Sequence, residues 1–330
     1  MDTMKRVQRC VAVALAVGVF FSLVGCVTSD DTVRAYVDTA LSVMDEGIHG
    51  ATKEWRQARE DALPGLYGSK GVQDTHSELA RLVRVAGGPH SSFLTPDELR
   101  ARTEQFAADA DFAVPEVTVL DGIATLTIPA FGSDDPQANA RYVGEGAVAI
   151  KEHRVDANCG WIIDVQQNTG GDAYEMLAVV SPFLDDGVVM KFVDRDGATQ
   201  DVVVAGNSVS LDNTEMASLG LAETFKLNTL PTAILQDRAT ASAAEAVVTA
   251  FRGQKMSKSF GQPTAGYSTG NKSEDLTDGS RIILTGVTYV DRLGVIYGGR
   301  INPDQRISST PSRSTNQPSP EEWLRSQCVS

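Results

Sequence analysis

Histidine is scarce in this chain. Its 330 residues hold four, His49, His76, His90 and His153. Any imidazole chemistry must come from that short set. Cysteine is equally rare at four, with no paired spacing of the kind zinc sites use. The sequence therefore gives no case for a metal or other cofactor. Aromatic residues make up only 6%. Basic residues are outnumbered, 29 Lys+Arg against 43 Asp+Glu, for a net charge of −14. That balance excludes phosphate-backbone binding to nucleic acid and electrostatic binding to anionic lipid. Internal repeats are absent. The longest apolar run, residues 10–23, is shorter than the roughly 20 residues that span a bilayer as a helix.

What stands around that run is informative. Lys5, Arg6 and Arg9 precede it, and Leu23-Val24-Gly25-Cys26 follows. The pattern resembles a bacterial lipoprotein signal: a basic start, a short apolar stretch and a lipidated cysteine. It implies a signal over 1–25, lipidation at Cys26, and an exported domain tethered to the outer side of a bacterial membrane. An uncleaved anchor is the alternative. Without residues 1–25 the charge is −16, from 26 basic and 42 acidic residues. This is a solvated acidic surface, or one that favours cationic peptides. Cys10 leaves with the signal, so Cys159 and Cys328 remain as an even pair in an oxidising compartment. They are expected to form a disulfide.

Residues 26–110 read as a tether and a helical region. Val33, Val37, Leu41, Met44 and Ile48 recur at helical spacing. Further helices are expected over 74–86 and 96–108, the latter with Pro96 at its first position. From Pro115 the pattern changes to alternating strands and helices, which predicts an α/β core over 111–307. Asp121-Gly122 and Asp196-Gly197 mark hairpins. Residues 206–230 read as an irregular insertion, a flap near the cleft. The histidines other than His90 lie in charged stretches and are expected at the surface. A Ser/Thr/Pro-rich tail and a terminal helical turn occupy 308–330.

The chemistry concentrates in Thr240-Ala241-Ser242-Ala243-Ala244-Glu245. An apolar strand, 232–236, leads into it and a helix, 241–252, begins with it. Serine at a strand-to-helix turn stands where a nucleophile would. The helix N-terminus offers unpaired N–H groups to a developing oxyanion. The same residues also read as a helix cap, with Ser242 and Glu245 as a capping box. Asn168-Thr169-Gly170-Gly171-Asp172 follows a second buried strand, Gly261-Gln262-Pro263-Thr264-Ala265-Gly266 follows the helix, and Pro303-Asp304 closes the series.

In that order these motifs resemble the tail-specific (C-terminal processing) and tricorn-core serine peptidases, over roughly residues 80–307. The resemblance implies the ββα spiral core of the Clp protease and crotonase type. It makes Ser242 the nucleophile and the backbone N–H groups of Gly171 and Ala243 the oxyanion donors. Gly170, Asp172, Tyr174 and Tyr267 become candidate substrate contacts. One departure matters. Most tail-specific peptidases carry a lysine base one residue after the last glycine of the Pro-Thr-x-Gly segment, and here that position is Tyr267. A phenol, with an ordinary pKa of about 10, is a poor base near neutrality. His90, in the loop Gly87-Gly88-Pro89-His90, is the better candidate. A Ser–His pair without the lysine is similar to a narrower branch, the nisin-resistance proteins. The glutamate of tricorn-type relatives is replaced by Tyr297, leaving Asp291 as a candidate orienter for His90.

Tail-specific peptidases usually hold a PDZ domain before the catalytic core. Only 29 residues separate Phe93 from Ile123, and compact domains are rarely shorter than about 50. The expected function is an extracytoplasmic serine endopeptidase that cleaves peptides or protein tails through a Ser–His dyad and an acyl-enzyme. The alternative is an inactive peptide- or small-ligand-binding protein on the same scaffold, as in retinoid-binding relatives.

Overall fold

The computed structural model describes residues 29–108, 112–221, 223–307 and 318–328. The signal segment, Cys26 and most of the Ser/Pro-rich tail therefore lie outside the described residues. In chain order the elements are α1 (Ser29–Met44), α2 (Lys53–Tyr67), α3 (His76–Gly87), β1 (Ser92–Leu94), α4 (Pro96–Ala108), β2 (Glu116–Leu120), β3 (Ile123–Thr127) and α5 (Pro136–His153). Then come β4 (Gly160–Asp164), α6 (Ala173–Val180), β5 (Gly187–Asp194), β6 (Thr199–Ala205), β7 (Ser208–Leu211), β8 (Thr214–Ser218) and β9 (Thr232–Gln236). The last are α7 (Ala243–Phe251), β10 (Ser257–Gly261), β11 (Thr269–Asp275), β12 (Arg281–Asp291), β13 (Gln305–Arg306) and α8 (Pro320–Gln327).

The described residues form two compact units, one from residues 29–100 with 272–284, the other from the described residues of 101–271 with those of 285–328. In the first, α1, α2 and α3 enclose Val37, Leu41, Met44, Trp55, Leu79, Leu82 and Val83, and Ile282 and Leu284 join this core from β12. β1 runs antiparallel to the start of β12, Phe93 facing Ile282. The first unit thus recruits a segment nearly 200 residues downstream of its own strand, which local sequence pattern does not announce.

His76 was expected at the surface and is not there. Its Nε2 lies 2.8 Å from Asp278 Oδ2, with only 12% of its side chain exposed, and its ring packs on Phe93. Ser280 Oγ donates to Asp278 and shares a hydrogen bond with the Tyr36 hydroxyl. A buried carboxylate with these partners explains why this histidine is held inside.

In the second unit, β3, β4, β9, β10 and β13 are parallel neighbours and β2 closes the edge antiparallel to β3. α5 joins β3 to β4 and α7 joins β9 to β10. Helices on a parallel sheet leave the central strands buried on both faces, so they read as unbroken apolar runs. Trp161, Ile162 and Ile163 on β4 and Ala233 and Ile234 on β9 are almost fully buried. All nine residues of α7 are buried, which is why its sequence is apolar on every face apart from Glu245 and Thr249, both hydrogen-bonded. The later part of β12 pairs antiparallel with β5. β5 to β8 continue as an antiparallel meander.

The meander corrects the reading of 206–230 as irregular. Residues 208–218 form a hairpin instead, turning at Asp212, which takes φ 51°. Its Ser, Asn and Thr content masked the strands, because their side chains are largely exposed and needed no apolar alternation.

A disulfide joins Cys159 to Cys328 across 169 residues. It holds α8, whose Leu324 is fully buried with Ile123, Ile162, Ala233 and Phe260. Closing so long a loop restricts the unfolded chain. Cys328→Ser is expected to lower the unfolding free energy by about 2–5 kcal/mol. Urea denaturation would read this, and reductant should bring the parent to the variant's midpoint. Equal midpoints without reductant would refute the expectation.

Candidate functional site

The site is built from the C-terminal ends of neighbouring parallel strands. β4 and β9 are in register from Trp161↔Thr232 to Asp164↔Leu235, so the turns that follow them emerge side by side. Ala241 N–H donates to Asn168 O at 2.9 Å, and Thr240 Oγ1 donates to Val165 O at 2.8 Å. These bonds lock the elbow to the glycine turn. Asn168 is 1% exposed. Its Nδ2 donates to Ile128 O and its Oδ1 accepts Gly170 N–H, both at 2.8 Å. It shapes the turn from inside, a role its place in the motif did not reveal.

Ser242 sits at φ 53° and ψ −114° at the head of α7. Positive φ strains any residue with a Cβ, by about 1–3 kcal/mol, and such outliers cluster at functional sites. Ser242 and Glu245 form the capping box that the sequence suggests, so the serine heads the helix as a cap and stands as a candidate nucleophile at once. Gly170 packs directly beneath it. A Cβ at Gly170 would come within 2.7 Å of Ser242 Cβ and 3.2 Å of Ala243 N. Gly171, at φ 129°, approaches Phe131 even more closely. Asp172 N–H donates to Phe131 O at 2.6 Å and Phe131 N–H donates to Gly170 O. Among the described residues neither Gly171 N–H nor Ala243 N–H donates within the chain. Two unspent donors beside a serine hydroxyl can hold a carbonyl oxygen as it gains charge.

Glu245 ties the elbow to the segment after β10. It is fully buried. Its carboxylate accepts Ser242 N–H at 2.9 Å, Tyr267 N–H at 2.7 Å, Gly266 N–H at 3.1 Å and Thr264 Oγ1 at 2.5 Å. Burial pushes its carboxyl up, against the pull of those four bonds. Tyr267 is brought to the elbow through its own N–H. Tyr289, on β12, packs in the same core as Ala243 and Ala244. It is 3% exposed, and burial holds its phenol neutral, well above the ordinary value. No motif marks this tyrosine. Its strand position alone brings it there. Tyr174, at the start of α6, is half-buried against the same core, and burial raises its hydroxyl to about 12.

Other residues fall elsewhere. Asp291 is 2% exposed. It accepts the N–H groups of Leu293 and Val295 at 2.9 Å and the Tyr297 hydroxyl at 2.6 Å. Its carboxylate thus serves its own hairpin turn. Lys258 donates to Gln305, and Lys272 is paired with Glu46 in the first unit. His90 belongs to the first unit, on the loop between α3 and β1. Gly88 ends α3 at φ 80° and donates to Arg84 O. Ser91 N–H donates back to Gly88 O. A Cβ at Gly87 would meet Ser91 Oγ at 2.1 Å, so only glycine permits this tight loop. Burial lowers the His90 pKa below its usual 6.5.

Residues 122–307 match the model of Peptidase family S41. The nisin-resistance protein of Lactococcus lactis subsp. lactis is 29% identical over 298 residues, covering 89% of this chain and 87% of that protein. The chloroplastic carboxyl-terminal-processing peptidase 2 of Arabidopsis thaliana is 25% identical over 186 residues, 51% of this chain but only 32% of that protein. Among solved structures, a lipoprotein from Streptococcus agalactiae aligns with TM-score 0.75 at 28% identity, over 89% of this chain and 96% of that one. The photosystem II D1 C-terminal processing protease aligns with TM-score 0.58 at 16% identity, over 85% of this chain and 93% of that one, a likeness of fold. The family match spans more than half the chain and takes in the serine elbow and the glycine turn, so the chain belongs to peptidase family S41 and is a serine-type peptidase.

Proposed function

We propose that this peptidase works outside the cytoplasm, tethered through a lipid on Cys26, and cleaves peptides with a Ser242–His90 dyad. The observation that carries the reading is the backbone of Ser242. A serine held at φ 53° at a helix head and set beside two unspent N–H donors is arranged for attack. Ser242 Oγ attacks the substrate carbonyl and His90 takes its proton. The oxyanion rests on the N–H groups of Gly171 and Ala243. His90 then returns the proton to the leaving amine, and water enters by the same route to free the acyl-enzyme.

Chemistry favours His90 as the base. Lys258 donates to Gln305 and Lys272 is paired with Glu46, both cations that must lose a proton before they can act as a base, and His76 is paired with Asp278. A neutral imidazole is the active form of a base. Burial lowers the His90 pKa, so the neutral form persists into mild acid. The acidic limb of kcat/KM is therefore expected below pH 6.5. The location rests on the basic start, the apolar stretch and Cys26. It is supported by the likeness to a streptococcal lipoprotein and by the Cys159–Cys328 disulfide, which suits an oxidising compartment.

The test is a digest of a mixed peptide library by the purified protein and by His90→Ala, read by mass spectrometry. Loss of roughly 10³-fold or more in His90→Ala is expected, with an unchanged fold by circular dichroism. Cleavage at near-parental rate would assign the base elsewhere.

A further inference from the structure

Two carboxyl groups beside the glycine turn lack a countercharge. Asp172 directly follows Gly171 and heads α6, its Oδ1 accepting Tyr174 N–H at 3.3 Å. Glu175 lies one turn further on, 7% exposed. The negative charge of Asp172 acts on its carboxyl. Its Oε2 is sealed from solvent and has no partner. The groups facing it from neighbouring elements are Tyr142 on α5 and Tyr174 on its own helix. Tyr142 gives its hydroxyl proton to Pro129 O at 2.8 Å. Among the described residues no lysine, arginine or histidine is paired with the Glu175 carboxyl. A chain with 43 acidic and 29 basic residues has here buried two acids together and supplied no cation.

We propose that the Asp172–Glu175 carboxyl pair is the specificity site of this peptidase, taking a lysine or arginine side chain of the substrate that flanks the cleaved bond. The inference rests on the peptidase reading above and names the substrate class for it. Asp172 is part exposed and adjoins the residue that presents the oxyanion donor. A side chain held there is next to the reacting carbonyl. An orphaned buried acceptor is a costly feature, and a substrate cation relieves it. Burial, then the neighbouring Asp172 carboxyl, push the Glu175 carboxyl up to about 8. At pH 7 the Glu175 carboxyl thus holds its proton. An arriving ammonium or guanidinium takes that proton's place, leaving the Glu175 carboxylate paired with the cation, and the proton passes to solvent. An apolar or acidic side chain can make no such exchange.

The first measurement is kcat/KM on matched peptides that carry Lys, Arg, norleucine or Glu on either side of the cut found by library digestion. At one of the two positions Lys and Arg are expected to exceed norleucine by about 10- to 100-fold, the range of one charged hydrogen bond. That ratio should fall towards one in Glu175→Gln and in Asp172→Asn. The second measurement is calorimetric titration of the Lys and norleucine peptides onto Ser242→Ala, in buffers of different ionisation enthalpy. The Lys peptide should bind more tightly and release up to one proton at pH 7, and the norleucine peptide none. A preference that ignores basic residues, or that survives Glu175→Gln, overturns the proposal, as does equal binding without proton release. If the parent cuts nothing while Ser242→Ala still binds the Lys peptide with proton release, the dyad reading fails and this one stands.

Discussion

Ser242→Ala is expected to lower kcat/KM by a factor on the order of 10⁴–10⁶, the loss seen when a serine nucleophile is removed from a working constellation. The variant should keep its fold. The bond that secures the turn, Ser242 N–H to Glu245, is backbone and survives the change. Thermal unfolding should therefore move by no more than about 2 kcal/mol, the upper end for loss of a helix-capping hydroxyl. A serine-directed phosphonylating reagent should label the parent once, at Ser242, and leave the variant unlabelled. The combination separates a lost nucleophile from a lost fold. Residual cleavage above about a hundredth of the parental rate, with labelling at another residue, would move the chemistry away from this elbow.

The elbow was legible because its parts are local. An apolar run, a small-residue turn and a serine at the head of an apolar helix occupy consecutive residues, and the structure gives β9, the turn and α7 in that order. The glycine turn after β4 was legible for the same reason. What could not be read were meetings across the chain. Glu245 looks like half of a capping box, yet its carboxylate also gathers three groups from Thr264, Gly266 and Tyr267. Tyr289 is one aromatic residue on a long strand until β12 is laid beside β5. His76 finds its acid 202 residues away. Residues 272–284 join the first unit through a strand pairing that no periodicity encodes. Sequence pattern reports which face of an element is apolar. It does not report which acceptor, two hundred residues on, a donor will find.

Gly171→Ala is the sharpest test of the oxyanion assignment. The backbone there takes φ 129°, a conformation that an L side chain rarely adopts. A Cβ would fall 1.8 Å from Phe131 O and 2.4 Å from Phe131 C, both backbone atoms that cannot swing aside. The turn must rotate, and with it the Gly171 N–H. Losing one oxyanion donor costs about 10²–10³ in kcat. Because that donor acts on charge that develops in the transition state, kcat should fall while KM changes little. Gly170→Ala is the control for simple crowding. Its Cβ would press on Ser242 Cβ at 2.7 Å and Ala241 O at 2.9 Å, so it displaces the nucleophile and should also abolish serine labelling. Gly171→Ala should retain labelling, at a reduced rate, because Ser242 itself is not touched. If Gly171→Ala keeps its full kcat despite that clash, the donor at this position is not Gly171 N–H, and the helix head at Ala243 would have to carry the oxyanion with another partner.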